Sequence, residues 1–214
     1  IEVTGKPAHV LHDTMGNNAI EAAFSIWEHL KGLACLWNDK NHSHAAFGDV
    51  AAPVKFNLGK ISGGEWASSV PTRCAMDIRC GFFPGQSPKE IRQLIENHLN
   101  AAIENDSRLK NIKHVITYRG FQSPGCVVDT SSKFINLLSH THETHLGRPT
   151  ELFASAATTD VRTFQLYGHI PATCYGPEAL NIHGIDESVS IQSTIDVSRV
   201  LCHFMTQWCG IEKR

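Results

Sequence analysis

The order of strand-like and helix-like apolar patterns is the feature that most constrains the fold of this chain. Four segments alternate apolar and polar residues as strands do: 1–9, 53–64, 72–82 and 112–121. Two segments with apolar residues at helical spacing lie between them, at 17–37 and 87–103. The order strand–helix–strand–strand–helix–strand is the split βαβ motif. The first half therefore predicts a ferredoxin-like βαββαβ domain.

Local signals fix several details of this prediction. Ser87 precedes Pro88, and Glu90 stands three residues after Ser87, which predicts a capping box with proline at the first helical position. Gly59 interrupts the strand at 53–64 and is expected to form a bulge. One face of the strand at 72–82 is predicted to carry four apolar side chains, those of Cys74, Met76, Ile78 and Cys80.

The second half of the chain has a different pattern. We expect a helix over 131–147, ended by Gly147, and a short strand, a loop and a short helix over 151–168. A buried strand is predicted at 170–176 and an amphipathic helix at 187–208. The inward stripe of that helix is predicted to be Ile191, Ile195, Ser198, Cys202 and Met205, flanked by Leu201. This is a layered α/β arrangement, too short to cover both faces of a sheet, which indicates part of a larger domain.

Composition excludes several classes of function. The net charge of −2 argues against a nucleic-acid or anionic-membrane partner, and no apolar run approaches the ~20 residues of a membrane span. The seven cysteines include no C-x-x-C pair, so free thiols with buried packing roles are expected. With no secretory signal, we predict a cytoplasmic protein. Because Ile1 is not methionine and starts within a strand pattern, we expect a fragment or a processed product.

The densest histidine clusters do not have the spacing of a metal site. His140 and His142 would lie about 200° apart on a helix, and His142 and His145 are one residue short of the H-E-x-x-H zinc motif. We interpret these side chains as solvated helix histidines. His42 and His44, in a polar loop, have the same interpretation.

The remaining candidates are dispersed along the chain. His9 ends a strand, Asp160 and Arg162 enter a helix, and His183 lies in a loop of turn-forming residues. Together they could supply a hydrogen-bond donor, a planar fork for a carboxylate and a metal-binding imidazole. Structural alternatives stay open for each: a surface strand end, an N-cap, a surface ion pair, and a surface or capping histidine.

Six motifs in this order carry a resemblance to a known family: "VTGKPAHV" (3–10), "GNNAIEAA" (16–23), "GGEWASSVP" (63–71), "MDIRCGFFPG" (76–85), "ATTDVRTF" (157–164) and "YGPEALNIHGIDESVSI" (175–191). The chain resembles the second half of the zinc-dependent amidohydrolases and peptidases, which include acetylornithine deacetylase, succinyl-diaminopimelate desuccinylase, aminoacylase and carboxypeptidase G. The resemblance spans nearly the whole chain.

The resemblance implies a domain organisation. In this family a βαββαβ lid, often used for dimerisation, is inserted into a zinc-binding α/β domain. Residues 1–122 are then the lid and residues 123–214 the C-terminal segment of the catalytic domain. A homodimer formed through the lid is implied.

The resemblance also implies roles for individual residues. His183 matches a zinc ligand, and His9 matches a lid histidine that polarises the scissile carbonyl, commonly across the dimer. Asp160 and Arg162 match a substrate-contacting loop, in which Arg162 grips a carboxylate. Ser68 stands where the family usually has asparagine, which shortens the reach of that substrate contact.

The implied reaction is hydrolysis of the amide bond of an N-acyl amino acid or similar small amide. Two zinc ions are expected in the intact enzyme, with cobalt or manganese as alternatives. A zinc-bound water would attack the carbonyl while a glutamate takes its proton. That glutamate and the other zinc ligands precede the lid in the family, so this chain alone is expected to be inactive. The alternative is a non-catalytic dimerisation or protein-interaction module.

Overall fold

The computed structural model describes residues 1–39, 44–48 and 50–212. Contacts within the chain divide it into a first unit, Ile1–Gly125 with Ala154–Ala156, and a second unit, Cys126–Phe153 with Ala157–Arg214. The first unit contains β1 Glu2–Thr4, α1 Ala19–Trp37, β2 Phe56–Gly63, β3 Arg73–Cys80, α2 Pro88–Asn105 and β4 Lys113–Val115. The second contains α3 Lys133–Leu146, α4 Val161–Leu166, β5 Ala179–Leu180, β6 Ser188–Val189 and α5 Ile191–Cys209.

The first unit has the predicted ferredoxin-like topology. Its four strands pair antiparallel in the order β2-β3-β1-β4, with Val3 of β1 opposite Cys74 of β3 and His114 of β4. The register of β2 against β3 shifts between Leu58 and Lys60, which confirms the bulge predicted at Gly59. β1 and β4 are shorter than the sequence pattern suggested, with three residues each.

The core of the first unit lies between the sheet and its two helices. Thirteen buried residues form it: Val3, Ala19, Ala22, Ala23, Ile26, Leu30, Leu33, Cys74, Met76, Ile91, Ile95, Leu99 and Leu109. Cys74 and Met76 are buried from the face of β3 that the alternation predicted. The stripes of α1 and α2 cover that face, because residues three and four apart share one side of a helix.

Both helix starts of the first unit are capped by side chains. The Ser87 hydroxyl accepts from the Glu90 N–H at 3.2 Å, and the Ser87 N–H donates to Glu90 Oε2 at 3.0 Å. This confirms the predicted capping box. The Asn18 side chain accepts from the N–H groups of Ile20 and Glu21 at the start of α1. Each cap satisfies amides that have no partner within the helix.

The second unit is built on the packing of α3 against α5. Its core cluster contains three buried residues, Leu138, Val200 and Phe204. The Phe134 ring meets the rings of Phe204 and Trp208 edge-on. α3 ends as predicted at Gly147, which has a left-handed φ of 67°.

Three predictions for the second unit are wrong. Residues 170–176 form no strand, and Ile170, Pro171 and Cys174 are exposed. No strand occurs over 151–160 either. A buried strand needs neighbouring strands to bond its backbone groups, and the described residues supply none there. The predicted inward stripe of α5 faces outward instead, because Val200 and Phe204 on the other side make the contact with α3.

Several polar and sulfur side chains also differ from expectation. The seven cysteines are free, but Cys35, Cys174, Cys202 and Cys209 are exposed, so packing is not the general role predicted for them. His142 is buried, not solvated, and its Nδ1 lies 2.8 Å from the Tyr175 hydroxyl. The sequence does not show that the Tyr175 hydroxyl will meet His142, so helical spacing alone predicts a solvated position for this histidine.

The polar loop after α1 is described only in part. His44 caps a 3-10 turn by accepting from the Ala46 N–H at 3.1 Å, and its ring stacks on Phe83. His42 lies outside the described residues. Across the part of the chain that the structure describes, no helix is long and apolar enough to cross a bilayer.

Candidate functional site

His9 is exposed at the first turn of a 3-10 segment, Val10–Met15. Its Nδ1 accepts a hydrogen bond from the Leu11 N–H at 3.1 Å. A neutral imidazole carries one proton, so this bond places the proton on Nε2. The loop therefore fixes His9 as a hydrogen-bond donor directed away from its own backbone.

Ser68 lies beside His9 in the same unit. The Val10 N–H donates to the Ser68 carbonyl at 3.2 Å, and His9 forms an isolated bridge with Ser69. The Val70 N–H donates to the Ala8 carbonyl at 2.8 Å. These backbone bonds hold the two loops together, so the structure brings the predicted pair His9 and Ser68 to one end of the first unit.

His183 lies in the hairpin that joins β5 to β6. Three residues of this turn, Asn181, His183 and Asp186, have left-handed φ values of 53°, 65° and 61°. Asparagine, aspartate and histidine tolerate this region better than most residues, yet each such position carries some strain. The His183 side chain is exposed, so the hairpin presents an accessible imidazole.

Asp160 and Arg162 lie at the start of α4. Asp160 occupies the N-cap position but its side chain makes no capping bond and is 92% exposed. Arg162 is only 17% exposed; its Nη1 lies 3.7 Å from Asp160 Oδ1 and donates to the Thr159 carbonyl. The guanidinium is thus held against its own loop. Its positive charge also opposes the increase in the Cys126 pKa that burial causes.

The histidine side chains do not assemble a metal centre by themselves. No group of three or more His, Cys, Asp or Glu side chains placed to hold a metal occurs within residues 1–39, 44–48 and 50–212. A catalytic zinc takes about three protein ligands, so His183 alone does not fit one. His9 and Ser68 belong to the first unit, whereas Asp160, Arg162 and His183 belong to the second.

Two features of the structure were not predicted from the sequence. Trp66, in the loop that contains Ser68, is 68% exposed and lines an open groove of about 730 Å³ in the first unit. The exposure of a single aromatic residue has no local sequence signal. The hydrogen-bonded pair of His142 and Tyr175 was also missed, since the two residues are 33 positions apart.

Comparison with known proteins gives a consistent result. A family model described as the peptidase dimerisation domain matches residues 1–107. An N-formyl-4-amino-5-aminomethyl-2-methylpyrimidine deformylase of Bacillus subtilis is 25% identical, covering 96% of this chain and 49% of the relative. A succinyl-diaminopimelate desuccinylase of Ruthia magnifica is 22% identical, covering 96% of this chain and 50% of the relative. The chain thus spans about half the length of these curated relatives.

The fold of this chain is also similar to the folds of solved structures. An M20 family metallo-carboxypeptidase from Sulfolobus solfataricus aligns with a TM-score of 0.65 and 15% identity. The alignment covers 95% of this chain and 56% of that one. At this identity the likeness concerns the fold, and it extends over both units.

Proposed function

The chain belongs to the M20 peptidases through their peptidase dimerisation domain, and from this membership we propose that it forms the lid and the C-terminal catalytic segment of a metal-dependent amidohydrolase. In this proposal residues 1–122 are the lid and residues 123–214 the catalytic segment. The substrate is an N-acyl amino acid or a similar small amide, in keeping with relatives that are a deformylase and a desuccinylase.

The observation that carries the proposal is the fixed tautomer of His9. Its Nδ1 is occupied by the Leu11 N–H, so Nε2 carries the proton and can donate to an oxygen that gains negative charge. The backbone bonds to the Ser68 loop hold the ring before substrate arrives. A donor fixed in advance stabilises a developing oxyanion without reorganisation during the reaction.

His183 is proposed as one ligand of the metal in the complete enzyme. The imidazole is exposed on a turn whose backbone conformation is unusual at three positions. Backbone strain of this kind is found at binding sites, where a side chain is held in a required position although the backbone conformation is unfavourable. Zinc is the expected metal, and a complete site needs further ligands beyond the residues described here.

Arg162 and Asp160 are proposed to contact the substrate, and Arg162 to bind its anionic end. The guanidinium lies at the start of α4 and is bonded to the Thr159 carbonyl. A carboxylate offers it a charge-assisted, bidentate contact that is stronger than a bond to a neutral carbonyl. Ser68, beside His9, would add a hydroxyl contact on the lid side.

The surface of the second unit supports its assignment as part of a larger domain. α5 buries Val200 and Phe204 on one side and exposes Ile191, Ile195 and Met205 on the other. A helix that is apolar on both sides is normally covered on both sides. Further catalytic-domain sequence, of the kind that lengthens the relatives, would cover the exposed side.

The lid is proposed to join two copies of the chain. β2 and β4 are the outer strands of its sheet, and β2 is eight residues long. An outer strand presents unpaired backbone groups that can bond a second strand. Sedimentation of the protein over a range of concentrations tests this, and a monomer throughout would contradict it.

The test of function is hydrolysis by the full-length protein, loaded with zinc, of formyl, acetyl and succinyl amides of amino acids. We expect His9→Ala to lower kcat by about 10²–10³-fold with little change in KM. We expect His183→Ala to lose bound metal together with turnover. His140→Ala is the matched control, because His140 is exposed on α3 and has no proposed role.

The outcomes separate the two rival functions. Unchanged zinc content and turnover in His183→Ala would show that the ligand assignment is wrong. Absence of hydrolysis by the full-length protein, with dimerisation retained, would instead favour a non-catalytic dimerisation module.

A further inference from the structure

The groove at the His9 end of the first unit has a distinctive lining. It occupies about 730 Å³ between the Val10–Met15 segment, the start of α1 and the loop after β2. Its apolar lining comes from Val10, Ile20 and Val70. Trp66 stands at this groove with 68% of its surface exposed, an unusual amount for the largest apolar side chain.

The loop that carries Trp66 is braced at both ends. The Thr72 hydroxyl donates to Glu65 Oε1, and the Thr72 N–H donates to Glu65 Oε2 at 3.2 Å. The Trp66 carbonyl accepts from both the N–H and the hydroxyl of Ser69, at 3.1 and 3.0 Å. The loop is therefore a closed turn, and the indole is held at the groove without being buried.

The charge of the lining has one sign. Asp13, Glu21 and Glu65 line the groove, and no Lys, Arg or His of the described chain is among its lining residues. The hydrogen bonds from Thr72 hold the pKa of Glu65 below its usual range, so this carboxylate stays ionised at neutral pH. The groove thus repels a carboxylate and attracts a cation.

An exposed indole in a negative groove matches one chemical class. A planar cation can lie over the face of a tryptophan ring, where the ring quadrupole attracts it, while carboxylates meet its N–H groups. A flexible ammonium chain would gain the charge contact but would leave most of the indole in water. The aromatic side chain, and not the carboxylates, therefore selects a flat group.

We propose that this groove is a subsite for a planar, cationic nitrogen group on the amine half of the substrate, with Trp66 as the residue that determines specificity. The inference rests on the proposed function, since it places the group next to His9. A planar cation on the amine half would lie in this groove.

The test uses the 214-residue chain and a probe that needs no turnover. Benzamidinium is planar and cationic, and benzoate has nearly the same shape with the opposite charge. We expect benzamidinium to shift the NMR signal of the Trp66 indole N–H, assigned with Trp66→Phe. The indole of Trp208, also exposed but in the second unit, is the internal control and should not move.

Two variants test the contributions of the indole ring and of the carboxylate charge separately. Trp66→Leu removes the ring face and should weaken benzamidinium binding by about two- to fivefold. Glu21→Gln keeps an acceptor for the Asn18 amide that now bonds Glu21 Oε1, but removes charge, and should also weaken binding. Equal binding of benzoate, or equal shifts at Trp208, would overturn the proposal.

A third outcome would also overturn it. If the Trp66 signal changes on dilution and ignores both probes, the indole belongs to a contact between copies of the chain. Turnover of the full-length enzyme is measured separately, so a failure of hydrolysis and a failure of the groove assignment are distinguishable.

Discussion

The two units of this molecule bury their apolar side chains in different ways. The first unit covers one face of a four-stranded sheet with two helices and buries a core cluster of thirteen residues. The second packs two helices against each other around a cluster of three. Its apolar side chains remain largely at the surface, for example Phe153, Ile185 and Ile191. The first unit therefore buries a much larger apolar core than the second.

Helix α5 shows the consequence of this difference most directly. Because one side contacts α3 and the opposite side is apolar but exposed, either side could have been chosen as the inward one from sequence. In α1 the buried side chains of Ala23, Ile26, Leu30 and Leu33 lie on one side, although Phe24 and Leu36 are exposed. When both sides of a helix are apolar, the spacing of its apolar residues does not show which side faces the core.

The largest expected difference between the units is in thiol reactivity. Burial raises the pKa of Cys80, in the first unit, to about 12, whereas Cys202 on α5 is exposed. At neutral pH a pKa near 12 lowers the thiolate fraction about a thousandfold relative to an ordinary cysteine. We therefore expect alkylation of Cys80 to be much slower than alkylation of the exposed Cys202, measured by peptide mass spectrometry against time.

Cys35 is the control for this experiment. It belongs to the first unit but is exposed on α1, so it should react as fast as Cys202. Slow reaction of Cys35 would show that the unit, and not the exposure of the side chain, decides the rate.

Truncation of a core leucine should have the next largest effect. Leu99 is 0% exposed within the first unit, and Leu99→Ala should lower the free energy of unfolding by about 2–5 kcal/mol. Leu152→Ala makes the same chemical change at a side chain that is 63% exposed in the second unit, and should change it by less than about 0.5 kcal/mol. Urea unfolding measures both variants.

A large decrease in the free energy of unfolding of Leu152→Ala would contradict this expected difference between the units. It would mean that Leu152 is covered in solution, and that the second unit is better protected than its exposed side chains indicate.

The sequence predicted the first unit well because its signals are local. Alternation placed Cys74 and Met76 inward, and the spacing of Ser87 and Glu90 located the start of α2. The strand predicted at 170–176 failed because a strand is defined by its neighbours, which can lie far away in sequence.

The sequence proposes the residues of the candidate site but does not reveal their geometry. The order of motifs selected His9 and His183, and turn-forming residues indicated that His183 lies in a loop. That Nδ1 of His9 is occupied by a backbone amide, and that three turn residues have left-handed φ, depends on backbone conformation that spacing does not reveal. The exposure of Trp66 could not be predicted, because it depends on which distant residues the fold brings beside the indole.

Helix caps allow a finer comparison of the units. Ser87 caps α2 in the first unit, and Ser190 caps α5 in the second by accepting from the Ser193 N–H at 3.2 Å. Ser87→Ala should lower the free energy of unfolding by about 1 kcal/mol. Ser190→Ala removes the same type of bond, but we expect it to increase amide exchange at the start of α5 without moving the main unfolding transition. An equal shift of that transition would show that the two units unfold together.

The smallest expected effect is a difference in response to mild acid. Burial, together with the charge of Arg148, lowers the pKa of His142 below its usual 6.5, so protonation of this ring favours the unfolded state. The stability of the second unit should therefore be complete above pH 6.5 and decrease as the pH falls below it.

The first unit should respond only at lower pH. Hydrogen bonds from Arg108 and His29 hold the pKa of Asp106 well below its usual 3.8, so its contribution is present above that pH and lost below it. Between pH 6.5 and 4.5 we thus expect amide exchange to increase in α3 and α5 but not in α1 and α2. His142→Gln keeps a polar partner for the Tyr175 hydroxyl without a titrating ring, and should reduce the response of the second unit. If α1 and α2 lose protection over the same interval, the acid sensitivity belongs to the whole chain and the units are not independent.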